Sequence, residues 1–267
     1  MPPTTEPFWT ALVDDAAIFP PGDADLVEAA HAYAVRDEPL VGSFVLRDTD
    51  LPVVAAATGT DLPVSVVLTG GAGQVAGPAA LCTRNGVRLA GLEVALRDPD
   101  DLPGNARRVV AAVDAARADG ALDEDTPVYV ELPPTAPSYG WLAAADEVAG
   151  AELRLKYRTN EAPARDLAAW IDAALDRETP FKCTAGLHRA LRHDPGHHDA
   201  GHGFLNVLLA TVRAFDGAGA DEVVATLEDR APDLDAAELA RGRRWFTSFG
   251  SCSLDEPLAD LRVLGLA

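Results

Sequence analysis

Lysine is nearly absent from this sequence. Of the 22 basic residues, 20 are arginine and only two are lysine, Lys156 and Lys182. Arginine replaces lysine wherever a permanent positive charge suffices, but it cannot replace an amine that must lose its proton near neutral pH. The positions of the two lysines are therefore the first indication of where chemistry takes place.

Cysteine, positive charge and long apolar runs are also scarce. Three cysteines in 267 residues are too few for a disulfide scaffold, so we expect reduced thiols. The net charge of −20 disfavours nucleic acids and anionic membranes as partners. No run of about 18 apolar residues is present, and no basic segment followed by an apolar stretch opens the sequence. We therefore expect a soluble, cytoplasmic protein.

Short apolar runs alternate with longer amphipathic runs, which predicts eight βα units. The predicted strands cover 11–19, 42–46, 64–69, 88–96, 127–132, 152–159, 180–186 and 246–253. The clearest predicted helices cover 25–35, 105–118, 164–176 and 204–215. With 48% apolar residues the chain can bury a large core. We expect an α/β fold, a (β/α)₈ TIM barrel forming a single domain over 1–267.

Two segments fit this count less well, and an open, doubly wound sheet remains the alternative. The segment LPVVAAATGTD after the second strand is short for a helix. The stretch 187–244 has room for an extra loop and an extra helix, with a histidine-rich insertion at about 188–203. The glycines of TGGAG lack the lysine and the spacing of a phosphate loop, and no cofactor is predicted.

Alternation within the strands predicts charged side chains inside the barrel. On the sixth strand Arg154, Lys156 and Arg158 share one face, which must point inward because helices cover the outside. The same alternation directs four more side chains inward on neighbouring strands: Glu93, Glu131, Lys182 and Thr184. Such charges form either a supporting ion network or an active site. Their position near the carboxyl ends of strands favours an active site.

Two lysines on neighbouring strands suggest an amine nucleophile. We expect the cations Lys182, Arg154 and Arg158 to lower the pKa of Lys156, so that a larger fraction is the free amine. Such an amine attacks a carbonyl group, and the resulting iminium lets an adjacent carbon–carbon bond break or form. The candidate proton carriers are three acids on the first and fourth strands: Asp14, Asp15 and Glu93.

This order of residues resembles that of deoxyribose-phosphate aldolases and related class I aldolases: a lysine on strand six, a lysine with a glycine on strand seven, and Phe-Gly-Ser-Cys-Ser on strand eight. The resemblance implies that Lys156 forms the Schiff base and that Lys182 perturbs it. The strand-one acid of that family corresponds to Asp14 or Asp15, and its strand-four acid to Glu93. The resemblance also implies a phosphate held by main-chain N–H groups at about Gly186, Gly250, Ser251 and Ser253.

The sequence departs from that family after Lys156. Where the family has small hydroxyl residues and glycine, this chain has Tyr157, Arg158, Thr159 and Asn160, and strand seven has one glycine instead of two. We therefore expect a substrate other than deoxyribose phosphate. FKCTAGLH, HGFLNVL and FGSCSLDEPLADLRVLG also resemble segments of a bacterial and plant protein family, which implies no chemistry.

The end of the eighth strand is a candidate anion site. A helix starting near Glu256 would point its amino terminus at residues 250–253 and favour a phosphate or carboxylate there. A serine-rich helix cap explains the same residues equally well. Further contacts with a small-molecule substrate are predicted for Glu131, Arg158, Thr184, His188, His202 and Asn206.

Histidines supply the main alternative. Five of the six lie between 188 and 202: His188, His193, His197, His198 and His202. Such a density could hold Zn²⁺ for metal-assisted hydrolysis or carbon–carbon cleavage, but no metal motif of fixed spacing is present, and we expect no metal. We interpret the segment as a loop over the barrel mouth. A non-catalytic barrel that binds small anions is the third possibility, and the sequence leaves assembly into homo-oligomers open.

Overall fold

The protein folds as a closed barrel of eight parallel strands in the order β1 to β8, with β8 paired to β1. The computed structural model describes residues 7–58, 62–196 and 199–267. The strands are β1 Val13–Asp15, β2 Val41–Arg47, β3 Pro63–Leu68, β4 Arg88–Ala95, β5 Val128–Glu131, β6 Arg154–Arg158, β7 Phe181–Thr184 and β8 Phe246–Ser251. The predicted TIM barrel is confirmed, and the open sheet is wrong.

Helices surround the strands. They are α1 Leu26–Ala34, α2 Leu51–Ala57, α3 Ala76–Asn85, α4 Leu102–Ala118, α5 Tyr139–Gly150, α6 Ala164–Leu175, α7 Phe204–Phe215, α8 Ala220–Glu228, α9 Ala236–Gly242 and α10 Asp255–Val263. The short segment after β2 does form a helix, α2, with a proline in its first turn, where the missing N–H does no harm. Between β7 and β8 the chain forms three helices, one more than expected.

The outward faces of the strands carry the apolar residues that hold the helices. Outside β6 to β8 these are largely aromatic: the Tyr157 ring lies 5.5 Å from Trp170 of α6 and 5.3 Å from Phe181. Phe249 stacks on Phe204 of α7 at 4.9 Å. Such ring pairs add about 0.5–1.5 kcal/mol each beyond the area they bury. This outer core leaves the inward faces free to carry polar groups.

The helices themselves are those of a globular barrel. Across the described ranges, none is both long enough and apolar enough to span a bilayer.

Candidate active site

Three rows of paired residues cross the inside of the barrel. In a parallel sheet, residues in register point to the same side. One row, from β4 to β8, consists of Ala95, Glu131, Lys156, Lys182 and Ser248. A second row, from β2 to β6, consists of Arg47, Val67, Glu93, Tyr129 and Arg154. A third row, through β6, β7, β8 and β1, consists of Arg158, Thr184, Gly250 and Asp14. These rows bring both lysines and three carboxylates together.

Lys156 lies between two carboxylates. Its Nζ is 2.6 Å from Glu93 Oε2 and 2.7 Å from Glu131 Oε2. The Lys156 side chain is 6% exposed, whereas that of Glu131 is 15% exposed. Lys156 is therefore buried, and Glu131 is the more exposed of its two partners.

Lys182 lies deeper in the same cluster. Its side chain is 2% exposed, and its Nζ donates to Asp14 Oδ2 and Glu93 Oε1, each at 2.7 Å. Asp14 Oδ2 also accepts a hydrogen bond from Ser248 Oγ at 2.7 Å. Because Glu93 pairs with both lysines, the four ion pairs form one buried cluster.

The carboxylates raise the pKa of both lysines. Burial alone lowers the pKa of Lys156, but the charges of Glu93 and Glu131 outweigh burial, so the pKa rises. Asp14 and Glu93 raise the pKa of Lys182 against burial in the same way. The expectation that neighbouring cations lower the pKa of Lys156 is therefore wrong. Both lysines are ammonium groups at rest.

The two arginines of β6 have other surroundings, which removes them as a cause of a lowered lysine pKa. Arg154 donates to Tyr129 Oη at 3.0 Å, towards the amino ends of the strands. Arg158, the last residue of β6, is exposed at the rim of the barrel.

Glu93 is a fixed counterion. Burial raises its pKa, but Lys156 and Lys182 outweigh burial and lower the pKa to about 2. A carboxylate with this pKa remains ionised near neutral pH and accepts a proton there with difficulty. The predicted role of Glu93 as a proton carrier does not agree with this environment.

The two acids of β1 have different positions. Asp14 joins the cluster, whereas Asp15 Oδ1 accepts a hydrogen bond from the N–H of Ala17 at 3.0 Å. Burial raises the pKa of Asp15. Asp15 therefore shapes the turn after β1, and of the two acids Asp14 is the one that belongs to the cluster.

The cluster has further polar neighbours that were not predicted from the sequence. The Lys182 ammonium lies 5.1 Å from the centre of the Tyr129 ring, a cation–π distance. Asp14 Oδ1 accepts from Ser43 Oγ at 2.6 Å, and a 2.7 Å hydrogen bond joins the hydroxyls of Ser43 and Ser65. The alternation of side chains along β2 and β3 could have predicted that these two serines point inward.

The loop predicted to bind an anion forms internal hydrogen bonds. Ser251 Oγ donates to the carbonyl of Ser253 at 2.6 Å and accepts from its N–H at 3.3 Å. Helix α10 does begin after this loop, but its first turn carries the carboxylates of Asp255 and Glu256. These charges oppose an anion at the helix amino terminus. The serine cap is not observed either, because the N-cap residue of α10 is Leu254 and no side chain caps this helix.

Gly186 has a conformational role. Its φ is +84°, and a Cβ at this position would lie 2.7 Å from Asn160 Cα. Only glycine combines this conformation with so close an approach of the β6 and β7 loops. The tight turn beside Thr184 thus explains why residue 186 is glycine, and a bound anion is not needed to explain it.

Two predicted substrate contacts hold the loop after β7 in place. His202 Nε2 donates to the carbonyl of Ala162 at 2.8 Å. Asn206 donates to two main-chain carbonyl groups at 2.7 and 2.8 Å and accepts from the N–H of Arg192 at 2.8 Å. Both side chains are buried. The polar atoms of Asn206 bond to the main chain, and those of His202 lie against the Ala162 carbonyl and the Arg192 guanidinium, so the substrate contacts predicted for these two residues find no free polar group here.

The other histidines are spread along this loop. His188 Nδ1 lies 3.8 Å from Cys252 Sγ and 3.9 Å from Glu256 Oε2. His193 Nε2 lies 2.9 Å from Asp199 Oδ2. Two more lie outside the described residues: His197 and His198. In the part of the chain that the structure covers, no group of three or more His, Cys, Asp or Glu side chains could hold a metal ion.

The fold is similar to that of a solved structure described as "QR15, an Aldolase". The two chains share 10% sequence identity with a TM-score of 0.55, over 97% of this chain and 96% of the other. No family model matches the sequence, and no curated protein matches it. At this identity the likeness shows the fold alone, and the fold is the barrel that the aldolase resemblance implied.

Proposed function

We propose that this protein is a lyase of the aldolase type in which Lys156 forms a Schiff base with a small carbonyl substrate. The position of Lys156 carries the proposal: its amine is held between two carboxylates on the inner face of β6, and one of them, Glu131, has a partly exposed side chain. Barrel enzymes place their active sites at the carboxyl ends of the strands, near this point. The structural neighbour described as an aldolase supports the proposal through its fold.

The raised pKa of Lys156 defines the first step. An ammonium group has no lone pair, so it must lose a proton before it attacks a carbonyl carbon. The complete step converts the ammonium and the carbonyl into an iminium and water, and the nitrogen keeps its positive charge. Glu93 and Glu131, which stabilise the ammonium, therefore stabilise the iminium as well. The neutral amine is the form that these two carboxylates stabilise least, and it exists only between the ammonium and the iminium.

Glu131 is the proton acceptor in this proposal. Its Oε2 lies 2.7 Å from Lys156 Nζ. Unlike Glu93, it forms no ion pair with Lys182 within the described residues. The three carboxylates and two ammonium groups carry a net charge of −1. A proton moved from Lys156 to Glu131 leaves this charge unchanged, whereas its loss to solvent would add a buried negative charge at a cost of several kcal/mol. Glu131 then returns the proton to the carbinolamine hydroxyl, which leaves as water.

The iminium provides the carbon–carbon chemistry. When Glu131, a carboxylate again after water has left, accepts the proton of a hydroxyl on the second carbon from the iminium, the hydroxyl oxygen forms a carbonyl and the adjacent carbon–carbon bond breaks. The electron pair of that bond becomes the enamine double bond, and the iminium π pair moves to nitrogen. Glu131 returns this proton to the enamine carbon, and water then hydrolyses the iminium, which releases the second fragment and restores the Lys156 ammonium. The same steps in reverse join two carbonyl compounds.

Lys182 is a positioning residue. Its ammonium binds Asp14 and Glu93 and is nearly inaccessible. By holding one oxygen of Glu93, it fixes the other oxygen against Lys156. Lys182 therefore acts on the reaction through Glu93.

Borohydride reduction tests the proposal. Wild-type protein incubated with a panel of small aldehydes and ketones should gain the mass of a reduced adduct. The variant Lys156→Arg should gain no more than the variant Lys156→Arg/Lys182→Arg, which contains no lysine. Circular dichroism checks that the variants remain folded. If the wild type also gains no more than the lysine-free variant with every compound, the lysines only support the fold.

A further inference from the structure

Two arginines occupy inward positions at the mouth of the barrel. Arg47 ends β2, and Arg158 ends β6. Arg47 is in register with Val67 and through it with Glu93, and Arg158 is in register with Thr184 and through it with Gly250 and Asp14. Since Glu93 and Asp14 point inward, so do both arginine positions. Strands β2 and β6 lie on opposite sides of the barrel.

Arg158 lies directly above the proposed nucleophile. It is two residues beyond Lys156 on the same face of β6, or roughly 6.6 Å along the strand. Its side chain is exposed, and it makes no hydrogen bond or ion pair with any residue in 7–58, 62–196 or 199–267. Its guanidinium is therefore available to a molecule that reaches Lys156.

Arg47 is held at the rim but keeps free donors. Its guanidinium packs over the Phe19 ring at 4.6 Å, and one nitrogen lies 3.4 Å from Asp50 Oδ2, a long contact. The side chain is 40% exposed. The packing on Phe19 orients the group, and the other donors face solvent.

This placement of positive charge is unusual for the chain. The protein carries a net charge of −20 and the buried cluster adds no positive excess, so its overall field repels anions. Two arginines at the mouth supply positive charge where a substrate enters. Arginine binds carboxylate and phosphate through paired N–H groups.

We propose that Arg158 and Arg47 bind the anionic group of the substrate, a carboxylate or a phosphate, while its carbonyl group reaches Lys156. The proposal rests on the proposed function and names its substrate class: short carbonyl compounds with one anionic end. In this proposal the anion lies between Arg158 on the β6 side of the mouth and Arg47 on the β2 side.

Matched carbonyl pairs test this inference. Pyruvate and pyruvamide differ in the charge next to the ketone, and glycolaldehyde phosphate and glycolaldehyde differ in a terminal phosphate. The rate of borohydride-trapped adduct is measured for each. We expect the anionic member of one pair to react about tenfold or more faster than its neutral partner after correction for the lysine-free variant. Preference within the first pair identifies a carboxylate, and preference within the second identifies a phosphate.

The variants Arg158→Gln and Arg47→Gln should each reduce the anionic-to-neutral rate ratio by about tenfold. Arg165→Gln is the matched control: it removes one positive charge from an exposed site on α6, where Arg165 pairs with Asp221. Equal rates within both pairs in the wild type, or a ratio that all three variants leave unchanged, would overturn the inference while adduct formation still supports the Schiff base. Absence of adducts with all four compounds would overturn both proposals.

Discussion

The ammonium groups of Lys156 and Lys182 share one carboxylate, since Glu93 Oε2 lies 2.6 Å from Lys156 Nζ and Glu93 Oε1 lies 2.7 Å from Lys182 Nζ. The two cations are thus joined through an anion. Their common counterion keeps both protonated at rest, and it makes Glu93 the residue on which the cluster depends.

Replacing Glu93→Gln should destabilise the fold. The amide keeps the shape but removes the charge that both buried ammonium groups face, and breaking a buried pair costs about 3–5 kcal/mol. Urea unfolding measures the loss. Glu147→Gln is the control, because Glu147 forms an exposed pair with Arg107 and should cost less than about 1 kcal/mol. Similar losses for the two variants would contradict the assigned role of Glu93.

Acid should remove the same contribution in the wild type. The pKa of Glu93 falls from 4.5 to about 2 on folding, so its stabilisation is complete above 4.5 and is lost as the pH falls towards 2. The difference in unfolding free energy between wild type and Glu93→Gln should therefore shrink below pH 4.5. Urea unfolding at a series of pH values between 6 and 3 measures it. A difference that stays constant down to pH 3 would show that the pKa of Glu93 is not lowered.

Strand alternation was sufficient to predict much of this site. The alternation of side chains along β4 to β7 predicted that Glu93, Glu131, Lys156 and Lys182 point inward, because helices cover the outside of the barrel. The alternation does not determine which carboxylate contacts which lysine. The sign of the Lys156 pKa shift depends on two contacts of 2.6 and 2.7 Å from neighbouring strands, and these are set by strand tilt and register.

Loops were predicted less well because their side chains follow no period. His202 and Asn206 stand in a histidine-rich segment that suggests ligand binding, but the main chain takes up their hydrogen bonds. Arg47 was missed because the second strand was predicted to end at residue 46, whereas β2 ends at Arg47. Its position became evident only from its register with Val67.

The variant Glu131→Gln should slow adduct formation while the protein remains folded. It removes the proposed proton acceptor, and loss of a general base typically costs a factor of at least about 100. The rate of borohydride trapping with an active carbonyl compound measures the effect, and thermal unfolding checks the fold. Because the amide cannot accept the proton, higher pH should restore part of the rate. A variant with the wild-type rate at neutral pH would exclude Glu131 as the acceptor.

Asn206→Ala should reduce stability by about 3 kcal/mol, because it removes the three hydrogen bonds that the Asn206 side chain makes with main-chain groups. Amides near Arg192 should exchange hydrogen faster. The rate of trapping, measured well below the unfolding temperature, should change by less than about twofold because Asn206 lies outside the charged cluster. A large loss of trapping at unchanged stability would restore the substrate-binding role predicted from the sequence.

Peptide mapping of the reduced wild-type adduct tests the central claim most directly, because it needs no substitution and the sequence offers only two lysines. The protein is reduced with borohydride in the presence of the most reactive carbonyl compound, digested and analysed by mass spectrometry. The added mass should be on Lys156, whose amine lies beside the partly exposed Glu131, and Lys182 should be unmodified. Modification of Lys182 with Lys156 intact, or of neither lysine, would contradict the account.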